Sequence, residues 1–439
     1  HMYPLGMTGS PFANPYPVPD GAADGTNRDV SADSRMDELM LWIPYLESLH
    51  ISAIYIGPLF ESSTHGYDTR DFRLIDRRLG TNVSFRSFVD CCHEHGIRVV
   101  VDGVFNHTGR EFFAFRDLQA HRDQSPYAGW YRNVNFGWGS PLGDSFGYES
   151  WHGIWELPCL NHGNPEVRNY LLDTVRFWVQ EFDIDGIRLD CAGDLSFEFM
   201  QELRRLANEI KPEFWLMGEV IHGEYARWVN PQMLHSVTNY EMHKSIYSAH
   251  NDHNYFELAH NVRRLEAVGR DLYTFVDNHD EDRIASKLLN PAHLAPLYTL
   301  LFTLPGIPSI YYGSEWGEEG VKAPDNDYAL RPCFEEPKPN ELTDFIKELI
   351  EVRRNSDSLC NGSYRNVVIT NHQLIFERRT DNERVLVAIN AGDSEFTAGN
   401  GELQGNFTEL LANADEIETV TLNGQLTMPA YSVQFLKAV

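Results

Sequence analysis

Basic charge is scarce in this sequence. In 439 residues, 36 Lys and Arg stand against 64 Asp and Glu, for a formal charge of -28. Such a surface repels phosphate backbones and anionic headgroups at long range, so nucleic acid and membranes are poor partners and a neutral or cationic small molecule a better one. Cysteine is sparse too: Cys91, Cys92, Cys159, Cys191, Cys333 and Cys360 contain no C-x-x-C pair and lack the density of a secreted disulfide scaffold, so free thiols are expected. No apolar run approaches the ~18 residues of a membrane span. A charged-then-apolar signal segment is missing from the N-terminus, where His1 and Met2 read as a cloning scar; a cytoplasmic protein is expected, with secretion after removal of a signal peptide as the alternative. Neither a fixed-period repeat nor a low-complexity tract is present.

What is present suffices for a large core, with 42% hydrophobic and 23% charged residues. The length exceeds the ~100 to 200 residues of an ordinary domain and suits one large domain with a satellite. Eight short runs rich in Ile, Val and Tyr recur between segments of helical period: Met2 to Met7, Ala53 to Gly57, Ile97 to Asp102, Ile184 to Asp190, Phe214 to Glu219, Ser236 to Tyr240, Leu272 to Asp277 and Ile307 to Tyr312. Amphipathic stretches such as Asp33 to Leu49 and Asn164 to Phe182 separate them, the second with Asn164 as cap and Pro165 at the first helical position. The pattern predicts an α/β fold, a (β/α)8 TIM barrel. The interval after the third run is too long for a strand-to-helix loop and reads as a small inserted lobe, 107–162, within a barrel formed by 1–106 and 163–355. After a helix at Glu341 to Arg354 come alternating strands, as in Asn366 to Arg378, Arg384 to Asn390 and Ser432 to Leu436, which predict a C-terminal antiparallel β-sandwich over 356–439.

Four of the barrel runs end in polar residues: Asp102 to His107, Arg188 to Asp190, Glu219, and His279 with Asp280. The carboxyl ends of barrel strands open on one face, where residues distant in sequence meet. A single Asp after a strand is more often a cap or turn former, and Asp102, preceding Gly103, could brace a loop. Four acidic ends, two with His and one with Arg, point instead to chemistry. Clustered carboxylates suit retaining glycoside hydrolysis, in which one attacks the anomeric carbon and a second protonates the departing oxygen. Arg188, two residues before Asp190 on the same strand, projects to the same side and keeps Asp190 ionised as the nucleophile.

Asp-Gly-Val-Phe-Asn-His at 102–107, Gly-Ile-Arg-Leu-Asp at 186–190, Gly-Glu-Val at 218–220 and Phe-Val-Asp-Asn-His-Asp at 275–280, in this order and spacing, resemble the motifs of the α-amylase family, glycoside hydrolase family 13. The resemblance implies Asp190 as nucleophile, Glu219 as general acid and base and Asp280 as transition-state stabiliser, with His107, Arg188 and His279 holding the sugar. It also implies that Tyr67, in His-Gly-Tyr-Asp at 65–68, stacks beneath that sugar while Asp68 supports the loop. Leu-Pro-Cys-Leu-Asn at 157–161, Glu-Phe-Phe-Ala-Phe at 111–115 and Phe-Asp-Ile-Asp-Gly at 182–186 are similar to the neopullulanase and cyclomaltodextrinase branch. There an Asp and an Arg four residues apart bind the next sugar, and Asp327 and Arg331 fit that spacing.

Departures from the family pattern bear on metal and substrate. The resemblance implies that no cofactor is required. Calcium is doubtful, because Gly193 and Asp194 stand where many α-amylases carry a Lys-His whose His carbonyl helps bind the ion, although Asn106 remains a candidate ligand. Val220 and Ile221 replace the branch's Ile-Trp after Glu219, leaving α-1,6 bonds and cyclodextrins open. The branch's N-terminal dimerisation domain is expected to be missing, and the protein a monomer. Of Trp130, Tyr131, Trp138, Trp151 and Trp155 in the lobe, most are expected to form its own core and one or two to line a cleft.

The expected function is a retaining α-glucan hydrolase cleaving α-1,4 bonds in maltooligosaccharides or starch. The alternatives are a cyclomaltodextrinase or neopullulanase, a glucan transglycosylase, a metal-dependent barrel hydrolase, or a non-catalytic glucan-binding scaffold. The metal-dependent class needs several converging His, and the first run contains none.

Overall fold

Val99, Val100 and Val101 lie in a strand, Arg98–Gly103, whose last five residues are all buried, as a parallel sheet covered on both faces requires. The computed structural model of the chain describes residues 1–15, 35–411 and 419–439. These fall into two units, one of His1–Val220, Arg227–Val237 and Arg331–Glu336, the other of Ile221–Ala226, Thr238–Leu330 and Pro337–Val439.

In the first unit five parallel strands follow one another in sequence order: Ala53–Ile56, Arg98–Gly103, Gly186–Leu189, Trp215–Gly218 and Ser236–Val237. Met2 adds a parallel bridge to Ile56. The rest of the first predicted strand is different: Pro4–Met7 is a helical turn, because Pro4 has no N–H for a ladder and its fixed φ suits a helix start. The helix Pro165–Phe182 begins as expected, with the Asn164 side chain accepting from Glu166 N at 2.9 Å. Its buried stripe includes Val167, Leu171, Val175, Trp178 and Phe182, a helical spacing that faces the sheet side. Trp178 stacks on Phe60 at 4.2 Å between ring centroids and donates to the Phe72 carbonyl at 2.6 Å. The helix predicted over 33–49 is two pieces, Arg35–Met40 and Ile43–Ser48. Pro44 in the first turn of the second piece cannot continue a preceding helix, and positions 33 and 34 lie outside the described residues.

Between 107 and 162 the chain forms the helix Phe113–His121 and a hairpin of Ser150–Trp151 with Ile154–Pro158. Phe115 meets Tyr131 and Tyr148 edge-on at 5.1 and 5.0 Å, and Trp130 is buried. Trp138 is 49% exposed.

In the second unit Tyr273–Thr274 pairs in parallel with Ile307–Pro308, and Thr238 bridges Tyr273. Leu294–Thr303 is buried on every side from Pro296 onward. Glu341–Arg354 has the predicted bounds, opened by an Asn340 capping box with Thr343. The C-terminal strands form one antiparallel sheet in the order Ser363–Ile369, Gln373–Arg379, Arg384–Asn390, Ser432–Ala438, Phe396–Glu409, Thr419–Met428. The run read as 366–378 is therefore two strands. The Thr370 hydroxyl accepts from the His372 and Gln373 amides and turns the chain, a local competitor to the ladder. A register break between Gly399 and Gln404 interrupts the long strand. The sheet encloses a core that includes Ile375, Leu386, Leu403, Phe407, Leu426 and Leu436, which makes it a β-sandwich. Among the described residues no helix is long and apolar enough to cross a membrane.

Candidate active site

Parallel register brings the first carboxylate and the arginine together. Asp102 is the partner of Arg188, and Gly103 of Leu189, in adjacent strands, so both side chains leave the sheet on the same side. Gly57 makes room for this, since a Cβ there would lie 2.4 Å from the Asp102 Cβ. The next strand ends at Gly218 opposite Leu189, which presents Glu219 beside Asp190.

Arg188 is the hub. One of its terminal nitrogens donates to Asp102 Oδ1 and Oδ2 at 2.9 and 3.0 Å and to Asp190 Oδ1 at 2.9 Å. The other lies 2.9 Å from Glu219 Oε1. Its side chain is 3% exposed, and although burial opposes the charge, Asp102 and Glu219 raise its pKa well above the ordinary value. Asp102 is wholly enclosed and also accepts from the Tyr55 hydroxyl at 2.9 Å. Burial pushes its carboxyl up to about 6, with Arg188 pulling the other way. The strand-end Asp therefore anchors the arginine rather than capping a turn.

The remaining oxygens face Cys191. Its amide donates to Glu219 Oε2 at 3.2 Å and its thiol to Asp190 Oδ2 at 3.1 Å. One ligand-type atom from each of Asp190, Cys191 and Glu219 lies within 4.8 Å of the others. Burial and the two carboxylates push the Cys191 thiol far above its usual range, so it stays protonated and is a poor metal ligand.

His107 is buried, and burial lowers its pKa to about 3. Its Nε2 has no hydrogen-bond partner among the described residues, while its ring stands 5.6 Å from Trp151. Trp151 is fixed by its indole N–H to Asp194 Oδ2 at 3.0 Å. Tyr67 is half-buried, and its phenol is among the groups that raise the Arg188 pKa. The Asp68 carboxylate braces the loop by accepting from the Thr64 amide and hydroxyl at 3.0 and 2.7 Å.

The other predicted residues divide between the units. In the second, His279 is buried with Nε2 3.2 Å from Asp280 Oδ2, and the Asn278 side chain accepts from the amides of Asp280 and Glu281. Asp327 lies 3.6 Å from Lys322 Nζ. In the first, Arg331 sits over the Tyr3 ring at 4.5 Å and donates to its hydroxyl at 3.3 Å. Tyr55 and Trp151 carry no distinguishing signal in the sequence, since a tyrosine inside a strand reads as core and one tryptophan among several in a lobe reads mostly as packing.

The oxygens that would hold calcium are engaged otherwise. Arg132 donates to Asn106 Oδ1 at 3.3 Å, the Asp194 carbonyl at 3.4 Å and the Leu160 carbonyl at 2.9 Å. One guanidinium gathers the candidate ligand, the backbone oxygen at the motif position and an oxygen of the 107–162 segment. A cation so placed repels a second, and these residues do not fit a calcium ion.

Residues 26–348 match the family model described as α-amylase, catalytic domain. The chain is 33% identical over 378 residues to a cyclomaltodextrinase of Thermoanaerobacter pseudethanolicus, covering 83% of this chain and 64% of that protein. It is 36% identical over 338 residues to neopullulanase 2 of Thermoactinomyces vulgaris, covering 74% and 56%. It thus spans about three fifths of the length of these relatives. A solved debranching enzyme of Nostoc punctiforme, soaked with acarbose, superimposes with a TM-score of 0.79 at 30% identity over 91% of this chain and 88% of that one. With these matches, and with motifs set at the ends of parallel strands, the chain belongs to the α-amylase family, glycoside hydrolase family 13, in its neopullulanase and cyclomaltodextrinase-like branch, and has that family's TIM barrel with a C-terminal β-sandwich.

Proposed function

We propose that this chain is a retaining α-glucan hydrolase that cleaves α-1,4-glucosidic bonds in maltooligosaccharides or starch. The observation that carries the reading is the Asp190 and Glu219 pair, with oxygens within 4.8 Å and one arginine between them. That spacing suits double displacement, which places its two carboxyl groups ~5 to 5.5 Å apart and leaves no room for a water between them and the sugar.

In this reading an Asp190 oxygen attacks the anomeric carbon as the glycosidic C–O bond breaks, and Glu219 gives its proton to the departing oxygen. Arg188 keeps Asp190 anionic and aimed. Esterification of Asp190 removes its negative charge beside Glu219, which then takes a proton from the incoming water; the water oxygen bonds to the anomeric carbon and the ester C–O bond breaks. Two inversions return the α configuration. Asp280, oriented by His279 and by the Asn278 turn, is assigned to the positive charge that develops on the sugar ring. The orphaned Nε2 of buried His107 supports a hydrogen bond to a sugar hydroxyl, since a buried polar atom without a partner is costly. Tyr67 is assigned to the apolar face of the same sugar, and Asp327 and Arg331 to its neighbour.

A second reading, hydrolysis of cyclodextrins or pullulan, is favoured by the names of the relatives and uses the same carboxylates. One experiment tests both: products from a maltooligosaccharide series, a cyclodextrin and pullulan are followed over time, with the anomer read by NMR. Initial α-anomer from the linear series, and loss of turnover by roughly 10^4-fold or more in Asp190→Asn, are expected. Initial β-anomer, or an Asp190→Asn variant that keeps turnover, would refute the assignment.

A further inference from the structure

The second unit contains a cavity of about 330 Å³ whose wall includes Asn239, Met242, Arg263, Arg270, Asn361 and Tyr364. It draws on the helix Tyr255–Arg264, the turn after it and the first strand of the C-terminal sheet, and no residue assigned above to catalysis or sugar binding lines it.

The charge around it is unusual for a chain of net charge -28. Arg263 and Arg270, both exposed, make no ion pair among the described residues. Arg263 uses only Nε, donating to the Ala259 carbonyl at 3.4 Å, and Arg270 donates to the Asn361 carbonyl at 3.3 Å. Two further arginines without a carboxylate stand behind the wall. Arg378 is fully buried, bonds the Thr303 carbonyl and the carbonyl of Gly362, a wall residue, and leaves its Nε unpartnered. Arg353 is half-buried and bonds the Phe302 and Gly306 carbonyls at 2.8 and 2.7 Å, on either side of the wall residue Pro305. Burial, then Arg353 nearby, lowers the Arg378 pKa to about 9, and Arg270 adds to the effect. Among the described residues none of the four has a carboxylate partner; for buried Arg378 and half-buried Arg353 that costs stability, and the one acid on the wall, exposed Glu266, pairs with none of them.

We propose that this cavity binds a small organic phosphate, a phosphorylated monosaccharide in class. A phosphate monoester is close to a dianion at neutral pH and matches two guanidinium forks, whereas a carboxylate carries one charge. The volume lies at the low end of ligand pockets and exceeds what inorganic phosphate fills. Asn239, Asn361 and Ser363 supply donors and acceptors for hydroxyls, and Met242, Val262 and Pro305 an apolar floor.

The test is isothermal titration calorimetry of the full chain at constant ionic strength with glucose 6-phosphate, inorganic phosphate and glucose, repeated on Arg263→Gln/Arg270→Gln and each single variant. Both side chains are exposed, and thermal melts check that the variants fold. The expected result is that glucose 6-phosphate binds more tightly than inorganic phosphate and at least about tenfold more weakly to the double variant, with single variants between. No binding, binding that survives both substitutions, as at the sugar cleft, or glucose binding as tightly as its phosphate would overturn the proposal.

Discussion

Arg188 concentrates the electrostatics of the first unit into one side chain: a guanidinium with contacts to Asp102, Asp190 and Glu219 at 2.9 to 3.0 Å. A lysine ammonium is a point charge that cannot reach three carboxylates in this fork. Arg188→Lys should therefore lower kcat/KM by about 10^2-fold or more while the chain still folds, checked by steady-state kinetics beside a thermal melt. The motif made Arg188 and Asp190 readable from their spacing of two on a strand. The Asp102 anchor and its Tyr55 partner were not readable, because they depend on the register of neighbouring strands. Arg132 belongs to the same scale. Since its guanidinium holds Asn106, Leu160 and Asp194, incubation with a strong chelator should leave both activity and melting temperature unchanged. A loss reversed by calcium would show that the ion displaces the arginine.

At the scale of the element, helix starts were legible because caps are local. Asn164 before Pro165 and Asn340 before Glu341 each mark their helix to the residue. Asn164→Ala removes the acceptor for the Glu166 amide and the donor to the Gly129 carbonyl. It should cost about 1 kcal/mol in urea unfolding, whereas Asn164→Asp, which keeps the acceptor, should recover most of it. Elements whose ends depend on distant partners were less legible. Met2 to Met7 is apolar enough for a strand, yet Pro4 leaves only Met2 in register with Ile56. The 366–378 run has continuous strand propensity, and it divides where the Thr370 side chain captures two amides.

At the scale of the whole molecule, buried and half-buried histidines set the response to acid. Burial holds His107 and His250 down to about 3, and His162 and His235 to about 4, against an ordinary value of 6.5. Between those values the unfolded chain binds more protons than the folded one, so stability is complete above about pH 6.5 and falls as pH drops through that window. Asp102, raised to about 6 from 3.8, works in the opposite sense over an overlapping range, as do Asp71 and Asp277, also raised by burial, but the four histidines, displaced further, outweigh them. Glu281 and Glu383, both held at about 2, extend the loss below pH 4.5. The urea midpoint should therefore decline steadily from pH 6.5 to 4, and a midpoint that is flat or rising over that range would contradict the burial of these imidazoles.

The sequence by itself determined the family motifs and where they fall: acids and histidines stand where apolar runs stop, and caps and periodicity announce the helices between the runs. Those signals are local, written within a few residues of each other. Only the tertiary structure decided that Asp102 serves the arginine, that Arg132 collects the oxygens a metal would need, and that two arginines without an ion pair among the described residues line a cavity with two more behind its wall. Such outcomes depend on which carbonyl or carboxylate a distant residue meets, and burial then sets the cost of each unmatched charge.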